Sequence, residues 1–235
     1  MNKIFILDFN SYIFEYLEED DDDIISIGLY SKGCYHAIQT NHLILNRWYY
    51  PIKPVYLDIY KNITKLNLEY RHDFTDDFLD NFHNLKSLML EDNELITDNA
   101  VKKLTTLTKL YLPESSCITD QSLKCLTNLT KLDIHYMNKK MTDNSVKYLT
   151  SIDLEGNNKI TDNSVKHLTN LTSICLRGND MITANSVKHL TSIDLCGNDK
   201  ITDNSVKYLT NLKHIDLFAN KTITDCSIKK LCNLK

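Results

Sequence analysis

The feature that most constrains this chain is an internal repeat of about 22 residues. From residue 63 onward the phrase L-x-x-L-x-L, in which Ile can replace Leu, occurs eight times. Successive copies start 22, 22, 22, 20, 22, 19 and 22 residues apart. A period of this length is typical of a solenoid, in which each repeat adds one turn. The copies start at Ile63, Leu85, Leu107, Leu129, Leu149, Leu171, Leu190 and Leu212.

A second phrase, close to I-T-D-N-S-V-K-x-L, follows each strand-like phrase. Thr or Asp near its start favours a helix N-cap, and the Asp carboxylate stabilises the positive end of a short helix. Val and Leu three positions apart, as in Val165 and Leu168, share one helix face. Each repeat is therefore predicted to contain a short strand, a turn with Asn and about two helical turns. The second phrase starts at Phe74 in a degenerate copy, and then at Ile96, Ile118, Met141, Ile160, Ile182, Ile201 and Ile223.

A single repeat of this kind cannot fold alone. It offers about six apolar side chains, each contributing on the order of 2 kcal/mol when buried. Ordering about 22 backbone residues costs roughly 1–2 kcal/mol each, so neighbouring repeats must bury each other's apolar edges. The sequence predicts an α/β solenoid over residues 63–235, with a parallel sheet on its concave face and short helices on its convex face.

Over residues 63–235 the sequence resembles the leucine-rich-repeat family. The I-T-D phrase before each helix is especially similar to the cysteine-containing repeats of F-box proteins. In this family a Cys or Asn three residues past the strand binds backbone groups of adjacent turns, which forms a ladder. The resemblance implies that role for Asn93, Asn157, Asn179, Asn198 and Asn220. The pattern departs at Arg71 and Ser115, and Asn138 follows a one-residue insertion, so we expect an interrupted ladder in the first half.

Two repeats are shorter than the others because three residues between helix and strand are missing. The affected segments are 146–154 and 187–195, in which Leu149 and Leu190 must serve both the helix end and the strand start. We expect tighter turns on the helix side at these two places, together with a local change in curvature.

The concave face is the candidate binding surface, because the outer strand positions point away from the core. Aspartates recur there toward the C-terminal half, and other residues break the duplicated pattern. An alternative is that duplication simply copied a soluble strand with no binding role. The candidate target-binding residues are Met89, Tyr111, Asp133, His135, Asp153, Arg177, Asp194, His214, Asp216 and Phe218.

The segment 1–46 lacks the repeat. Helical spacing predicts helices over Asn10–Leu17, from about Asp23, and over Ser31–Leu45. The segment 47–62, with two prolines and a Trp-Tyr-Tyr cluster, is interpreted as a linker or N-terminal cap.

The order of residues in this first segment resembles a divergent F-box. Asp8 stands where that family has Pro, and Tyr35 where it has Trp. An F-box ahead of leucine-rich repeats implies a substrate-recognition subunit of a Skp–cullin–F-box ubiquitin ligase. The Skp-type linker would then bind Ile13, Phe14, Leu17, Ile24 and Ile27. The residues that carry the resemblance are Leu7, Ile13, Phe14, Tyr16, Leu17, Asp23, Ile24, Ile27, Ser31, Lys32 and Tyr35.

Two other interpretations stay open. The first segment can be a small helical cap that shields the first strand and binds no partner. The protein as a whole can be a stand-alone leucine-rich-repeat interaction module without a ubiquitin role. In either case we expect no enzymatic activity and no cofactor, because no nucleophile–base pair is recognisable.

Bulk composition narrows the classes of partner. The net charge of −4 argues against a nucleic-acid binder, and no apolar run is long enough to span a membrane. The start of the chain lacks the long apolar core of a secretory signal, so we expect a cytoplasmic or nuclear location. The A/T-rich codon preference behind the many Asn, Lys, Ile and Tyr residues fits a low-GC eukaryote or a large DNA virus, in which case the location is the host cell.

The seven cysteines and eight histidines show no zinc-binding spacing, so we expect no metal site. Cys175 and Cys196 are predicted to lie side by side on neighbouring strands, where two exposed thiols are the simpler interpretation and a shared metal the alternative. A ninth strand phrase begins at Cys232–Lys235, with no evident C-terminal cap. Either the last helical phrase, Ile223–Leu231, covers this edge, or the edge is open to a partner strand or a second copy. We predict either concentration-dependent self-association or fraying near the terminus.

Overall fold

A nine-stranded parallel sheet organises the protein. The computed structural model describes residues 63–68, 72, 74–112, 117–135, 140–144 and 146–235, and the backbone of three short strands before them. These three strands are β1 (Ile6–Leu7), β2 (Ile13–Phe14) and β3 (His42–Ile44). Strands β3 to β11 lie side by side in chain order, all parallel, and the repeat predicts those from β4 to β11. The others are β4 (Lys65–Asn67), β5 (Ser87–Met89), β6 (Lys109–Tyr111), β7 (Lys131–Asp133), β8 (Ser151–Asp153), β9 (Ser173–Cys175), β10 (Ser192–Asp194) and β11 (His214–Asp216).

The register of the sheet repeats from strand to strand. The central residue of each strand pairs with the central residue of the next, as Leu88 does with Leu110. From β4 to β10 these central side chains are at most 3 % exposed, so they form one continuous column in the core. The residues on either side of each central residue are left on the concave surface.

The convex side carries six short helices among the described residues. Each has four residues and follows a Thr N-cap; the Thr97, Thr119 and Thr161 hydroxyls accept a hydrogen bond from the backbone N–H two residues on. This is about half the predicted length. The chain leaves the helix through i→i−3 bonds, such as Leu104 N–H to the Val101 carbonyl at 3.0 Å, and returns to the sheet. The helices are α1 (Asp76–Leu79), α2 (Asp98–Val101), α3 (Asp120–Leu123), α4 (Asp162–Val165), α5 (Asp203–Val206) and α6 (Asp225–Ile228).

The two shortened repeats have turns where the others have helices. The described residues of 141–149, and those of 182–190, contain no α-helix. Tyr148 takes a left-handed conformation with φ of 58° just before Leu149, which is buried. The deletion of three residues therefore produces the tighter turns that the sequence predicts.

Asparagine side chains form a ladder behind the sheet, as the resemblance implies. Asn179 is 1 % exposed, and its Oδ1 accepts hydrogen bonds from the N–H groups of Met181 at 2.9 Å and Ile182 at 3.1 Å. Its Nδ2 donates to the carbonyls of Leu154, at 3.1 Å, and Asn157. Asn198 and Asn220 repeat this pattern one and two turns later. Arg71, Ser115 and Asn138 lie outside the described residues.

A second ladder, which the sequence analysis did not predict, joins the helix N-termini. In six of the T-D pairs the Asp accepts two hydrogen bonds from the Thr of the next repeat. Asp98, for example, receives the Thr119 N–H at 2.9 Å and the Thr119 hydroxyl at 2.6 Å. These bonds lower the pKa of Asp98, although burial opposes the shift. The carboxylates that accept both bonds are Asp76, Asp98, Asp120, Asp143, Asp162 and Asp203.

Ala184 interrupts this second ladder. It occupies the Asp position of its repeat, so it offers no carboxylate to the following Thr202. The Thr202 N–H instead donates to the Ser205 hydroxyl of its own repeat at 3.0 Å. The connection between these two repeats therefore relies on the pairing of β9 with β10, the asparagine ladder and the core.

The strands near the start correct part of the sequence prediction. Ile13–Phe14 pairs with Ile6–Leu7 in an antiparallel ladder, where a helix over Asn10–Leu17 was expected. His42–Ile44 pairs with β4, where a helix over Ser31–Leu45 was expected. Short apolar runs fit either period, and Ile and Phe favour extended backbone, so spacing alone misassigned them. Leu17, Ile24 and Ile27 lie outside the described residues.

Replacing Asn179 with Ala should lower the free energy of unfolding by about 2–4 kcal/mol, because one buried and one partly buried N–H group and two buried carbonyls lose this partner. Urea denaturation measures the change. Asn185→Ala is the matched control, since that side chain is exposed, and its effect should stay within about 0.5 kcal/mol. Equal effects of the two substitutions would contradict the proposed role of the ladder.

Candidate functional site

The concave surface of the sheet brings the predicted target-binding residues into one register. Met89, Tyr111, Asp133 and Asp153 occupy the last position of successive strands β5 to β8. Cys175, Asp194 and Asp216 continue this row on β9 to β11. The outer positions of β8 to β11, including His214, line a shallow open groove of about 490 Å³.

His135 and two aspartates form the first charged cluster on this surface. The imidazole Nε2 of His135 lies 2.9 Å from Asp133 Oδ1 and 3.9 Å from Asp153 Oδ2. The contact with Asp133 raises the pKa of His135 to about 9, although partial burial opposes the shift. Burial raises the pKa of Asp153. His135 is therefore mainly protonated at neutral pH and acts as the counter-ion of this cluster.

Arg177 holds the second charged cluster. Its Nη2 lies 2.8 Å from Asp194 Oδ2, and its Nη1 lies 3.9 Å from Glu155 Oε2. Burial pushes the pKa of Asp194 up, but its bonds from Cys196 and Arg177 outweigh this and lower the pKa overall. Arg177 thus joins acidic residues from two successive turns. Its side chain remains 48 % exposed and can also reach a bound molecule.

The two cysteines of this surface do not behave as the sequence suggested. Cys196 is buried, not exposed, and Cys175 is half-buried with its Sγ 3.8 Å from Asp194 Oδ2. Burial raises the pKa of Cys175, and it raises the pKa of Cys196 to about 12. Both side chains are therefore neutral thiols near pH 7. The potential metal-ligand atoms that lie close to Cys196 belong to Asp194 and Asp216. Cys175 is not a member of this group.

Charge is distributed unevenly along the surface. Lysines stand at the first strand position on β4, β6 and β7, whereas serine takes that position on β8, β9 and β10. Aspartates occupy the last position on β7, β8, β10 and β11. The described concave surface is thus more basic toward β4 and acidic toward β11.

An exposed aromatic ring stands at the acidic end. Phe218, two residues past β11, is 79 % exposed. Its backbone N–H donates to Asp216 Oδ1 at 2.9 Å, and this bond lowers the pKa of Asp216. Met89 and Tyr111 are half-buried at the other end of the row. Apolar contact area is therefore available at both ends of the acidic stretch.

Comparison with known proteins supports the repeat assignment. The family model described as Leucine Rich repeat matches residues 147–166 and 186–209. No curated protein matches the chain in sequence. Pattern and family model therefore agree on leucine-rich repeats over these two ranges. No helix among the described residues has the length and apolar character needed to cross a lipid bilayer.

Several solved structures share the solenoid. Internalin C2 (inlC2) from Listeria monocytogenes has a TM-score of 0.54 and 26 % identity, covering 76 % of this chain and 81 % of its own. Internalin inlF from the same organism has a TM-score of 0.51 and 21 % identity, covering 83 % of this chain and 66 % of its own. The Toll–Spätzle complex of Drosophila gives a TM-score of 0.53 at 18 % identity, covering 83 % of this chain and 32 % of that chain. This chain thus spans about two thirds of internalin inlF and a third of the Toll structure.

The His135 ion pair should make stability depend on pH. Because the pKa of His135 rises from 6.5 to about 9 on folding, its stabilising contribution is complete below about pH 6.5 and is lost as the pH rises through 9. The difference in unfolding free energy between the natural chain and His135→Gln should therefore shrink between pH 6 and pH 10. Denaturation at each pH measures it, and a pH-independent difference would contradict the assignment.

Proposed function

We propose that this protein is a protein-binding module whose concave sheet surface holds the partner. The observation that carries this proposal is the row of non-identical side chains on successive parallel strands, flanked by exposed or half-buried apolar residues. A duplicated strand without a role would repeat one residue type. Here the last strand position instead changes from Met89 and Tyr111 to aspartates and Cys175.

The scaffold suits recognition because the binding groups are fixed before the partner arrives. From β4 to β10, each concave strand residue belongs to a strand whose central residue is buried and whose backbone is bonded to both neighbouring strands. A preordered surface loses little conformational entropy on association. The enrichment of aromatic and Arg residues at binding hot spots singles out Phe218, Arg177 and Tyr111 as the anchors.

The double variant Arg177→Gln with Phe218→Ala should weaken partner binding about 10-fold or more, because both anchors are lost. A photo-activatable cross-linker at Ser173 on the concave side identifies the partner in cells, and titration of the purified partner gives the affinity. A cross-linker at His167, which is exposed on the convex side, should not capture the same protein.

A matched convex double variant serves as the control. Lys166→Gln with Tyr208→Ala removes one charge and one exposed ring from the opposite face. It should change affinity less than about twofold. Equal loss of affinity in the concave and convex variants would overturn the proposed location of the binding surface.

We further propose that the module serves as the substrate-recognition subunit of a Skp–cullin–F-box type ubiquitin ligase. The order of residues from Leu7 to Tyr35, ahead of the repeats, supports this role. The strands at Ile13–Phe14 and His42–Ile44 weigh against a helical F-box. A stand-alone interaction module therefore remains the alternative. The ligase role would place the protein in the cytoplasm or nucleus, with no catalytic group of its own.

Ile13→Asp with Leu17→Asp should abolish capture of a purified Skp-type linker if the adaptor role is correct, because the linker would bind these apolar side chains. A pull-down with the full chain measures this. Point variants are preferable to removal of residues 1–50, since His42–Ile44 belongs to the main sheet. Ser11→Asp, which adds one charge to the same segment, is the control; a natural chain that fails to bind the linker would leave the stand-alone module.

The predicted self-association through the C-terminal edge stays a prediction. Beyond β11 the Lys235 N–H donates to the Lys213 carbonyl at 3.0 Å, which repeats the bond pattern that joins successive turns. Ile215, Leu217 and Leu234 near this edge are only partly buried.

A further inference from the structure

We propose that Asp133, His135 and Asp153 form a binding site for one divalent transition-metal ion of the zinc or cobalt type. Each of these residues offers one ligand atom, and the three atoms lie within 4.8 Å of one another. The proposal is independent of the partner-binding role. From the sequence, these three residues were predicted only to contact a protein partner.

The backbone fixes the geometry of this group. Asp133 ends β7 and Asp153 ends β8, and the two residues are partners in the parallel register. His135 follows β7 by two residues, so its side chain returns over the same edge. All three side chains are between 25 % and 32 % exposed, which leaves the site open to an ion from the concave side.

The distances suit a metal ion. Ligand bonds to zinc of about 2.0–2.2 Å place neighbouring donor atoms roughly 3.2–3.6 Å apart in tetrahedral geometry. The His135 Nε2 lies 2.9 Å from one carboxylate oxygen and 3.9 Å from the other, which brackets this range. Small rotations of the carboxylates would equalise the three separations. One imidazole and two carboxylates form a mixed nitrogen and oxygen set that zinc and cobalt accept.

Electrostatics also favours a dication at this place. Two carboxylates stand opposite each other on adjacent strands, where like charges repel. The imidazole can supply at most one positive charge and lies closer to Asp133 than to Asp153. A divalent ion bound by a neutral imidazole would balance both carboxylates. Nearby Glu155 adds negative charge, while Arg177 is directed mainly to Asp194.

A second cluster on the same surface provides an internal comparison. Asp194, Cys196 and Asp216 also bring three ligand atoms within 4.8 Å. There the Arg177 guanidinium already lies 2.8 Å from Asp194, and Cys196 is only 6 % exposed. The cation at this cluster is a guanidinium, which keeps its proton, whereas the His135 imidazole can give up its proton to an arriving metal ion. We therefore expect the second cluster to bind the metal ion more weakly.

Titration of the full chain with Co²⁺ tests the site. Calorimetry should show one strong site per chain, and the paramagnetic ion should broaden the amide NMR signals of residues 133, 135 and 153 first. An absorption spectrum without a thiolate charge-transfer band would separate this nitrogen and oxygen site from binding at a cysteine.

Substitutions decide between this site and incidental binding. His135→Gln and, separately, Asp153→Asn should each weaken Co²⁺ binding about 10-fold or more, whereas Asp216→Asn in the second cluster should leave it unchanged. Circular dichroism establishes that each variant is folded. The absence of a saturable site, or binding that His135→Gln and Asp153→Asn leave intact, would overturn the proposal and leave a plain His–Asp ion pair.

Discussion

The stacking of each turn on the next is the interaction on which the rest of this structure depends. Besides the backbone hydrogen bonds of the sheet, three kinds of side-chain contact join successive turns: the buried column of central strand residues, the asparagine ladder and the carboxylate ladder at the helix N-termini. None of the three exists within a single repeat. The ladder bonds that join repeats connect groups about 20 residues apart in the sequence, and the buried column needs the strand of the neighbouring repeat. Cooperativity between neighbours follows directly from this arrangement.

The two polar ladders have different tolerance to change. The ladder residues Asn157, Asn179 and Asn198 are at most 1 % exposed, so a lost partner there leaves buried polar groups unsatisfied. The Asp–Thr pairs lie nearer the surface, and their loss at Ala184 is compensated locally by the Ser205 hydroxyl. A single interruption of the outer ladder is therefore compatible with the fold.

The chemistry of the concave surface comes from departures from the repeat. Duplication supplied a regular row of Ser and Asp, and this row alone would be a uniform acidic stripe. His135 and Arg177, each two residues past a strand, convert that stripe into two different charged clusters. The cation of one cluster is a guanidinium, and the cation of the other is an imidazole. That difference underlies both the proposed recognition surface and the proposed metal site.

The sequence by itself determined the repeat, the parallel sheet and the buried columns, because each follows from a period that only stacked turns satisfy. The role of Asn179 and its equivalents came from the resemblance to leucine-rich repeats. Seven of the ten candidate residues lie at outer strand positions, and His135, Arg177 and Phe218 each lie two residues past a strand. The sequence prediction failed at Ile13–Phe14 and His42–Ile44, because two or three apolar residues fit a helix or a strand equally well. Only the tertiary structure brought Asp133 and Asp153 together, since they are 20 residues apart and meet through the register of adjacent strands. Only the structure shows that Cys196 is buried and that Arg177 pairs with Asp194. Side-chain burial and ion pairing depend on neighbours that no local pattern specifies.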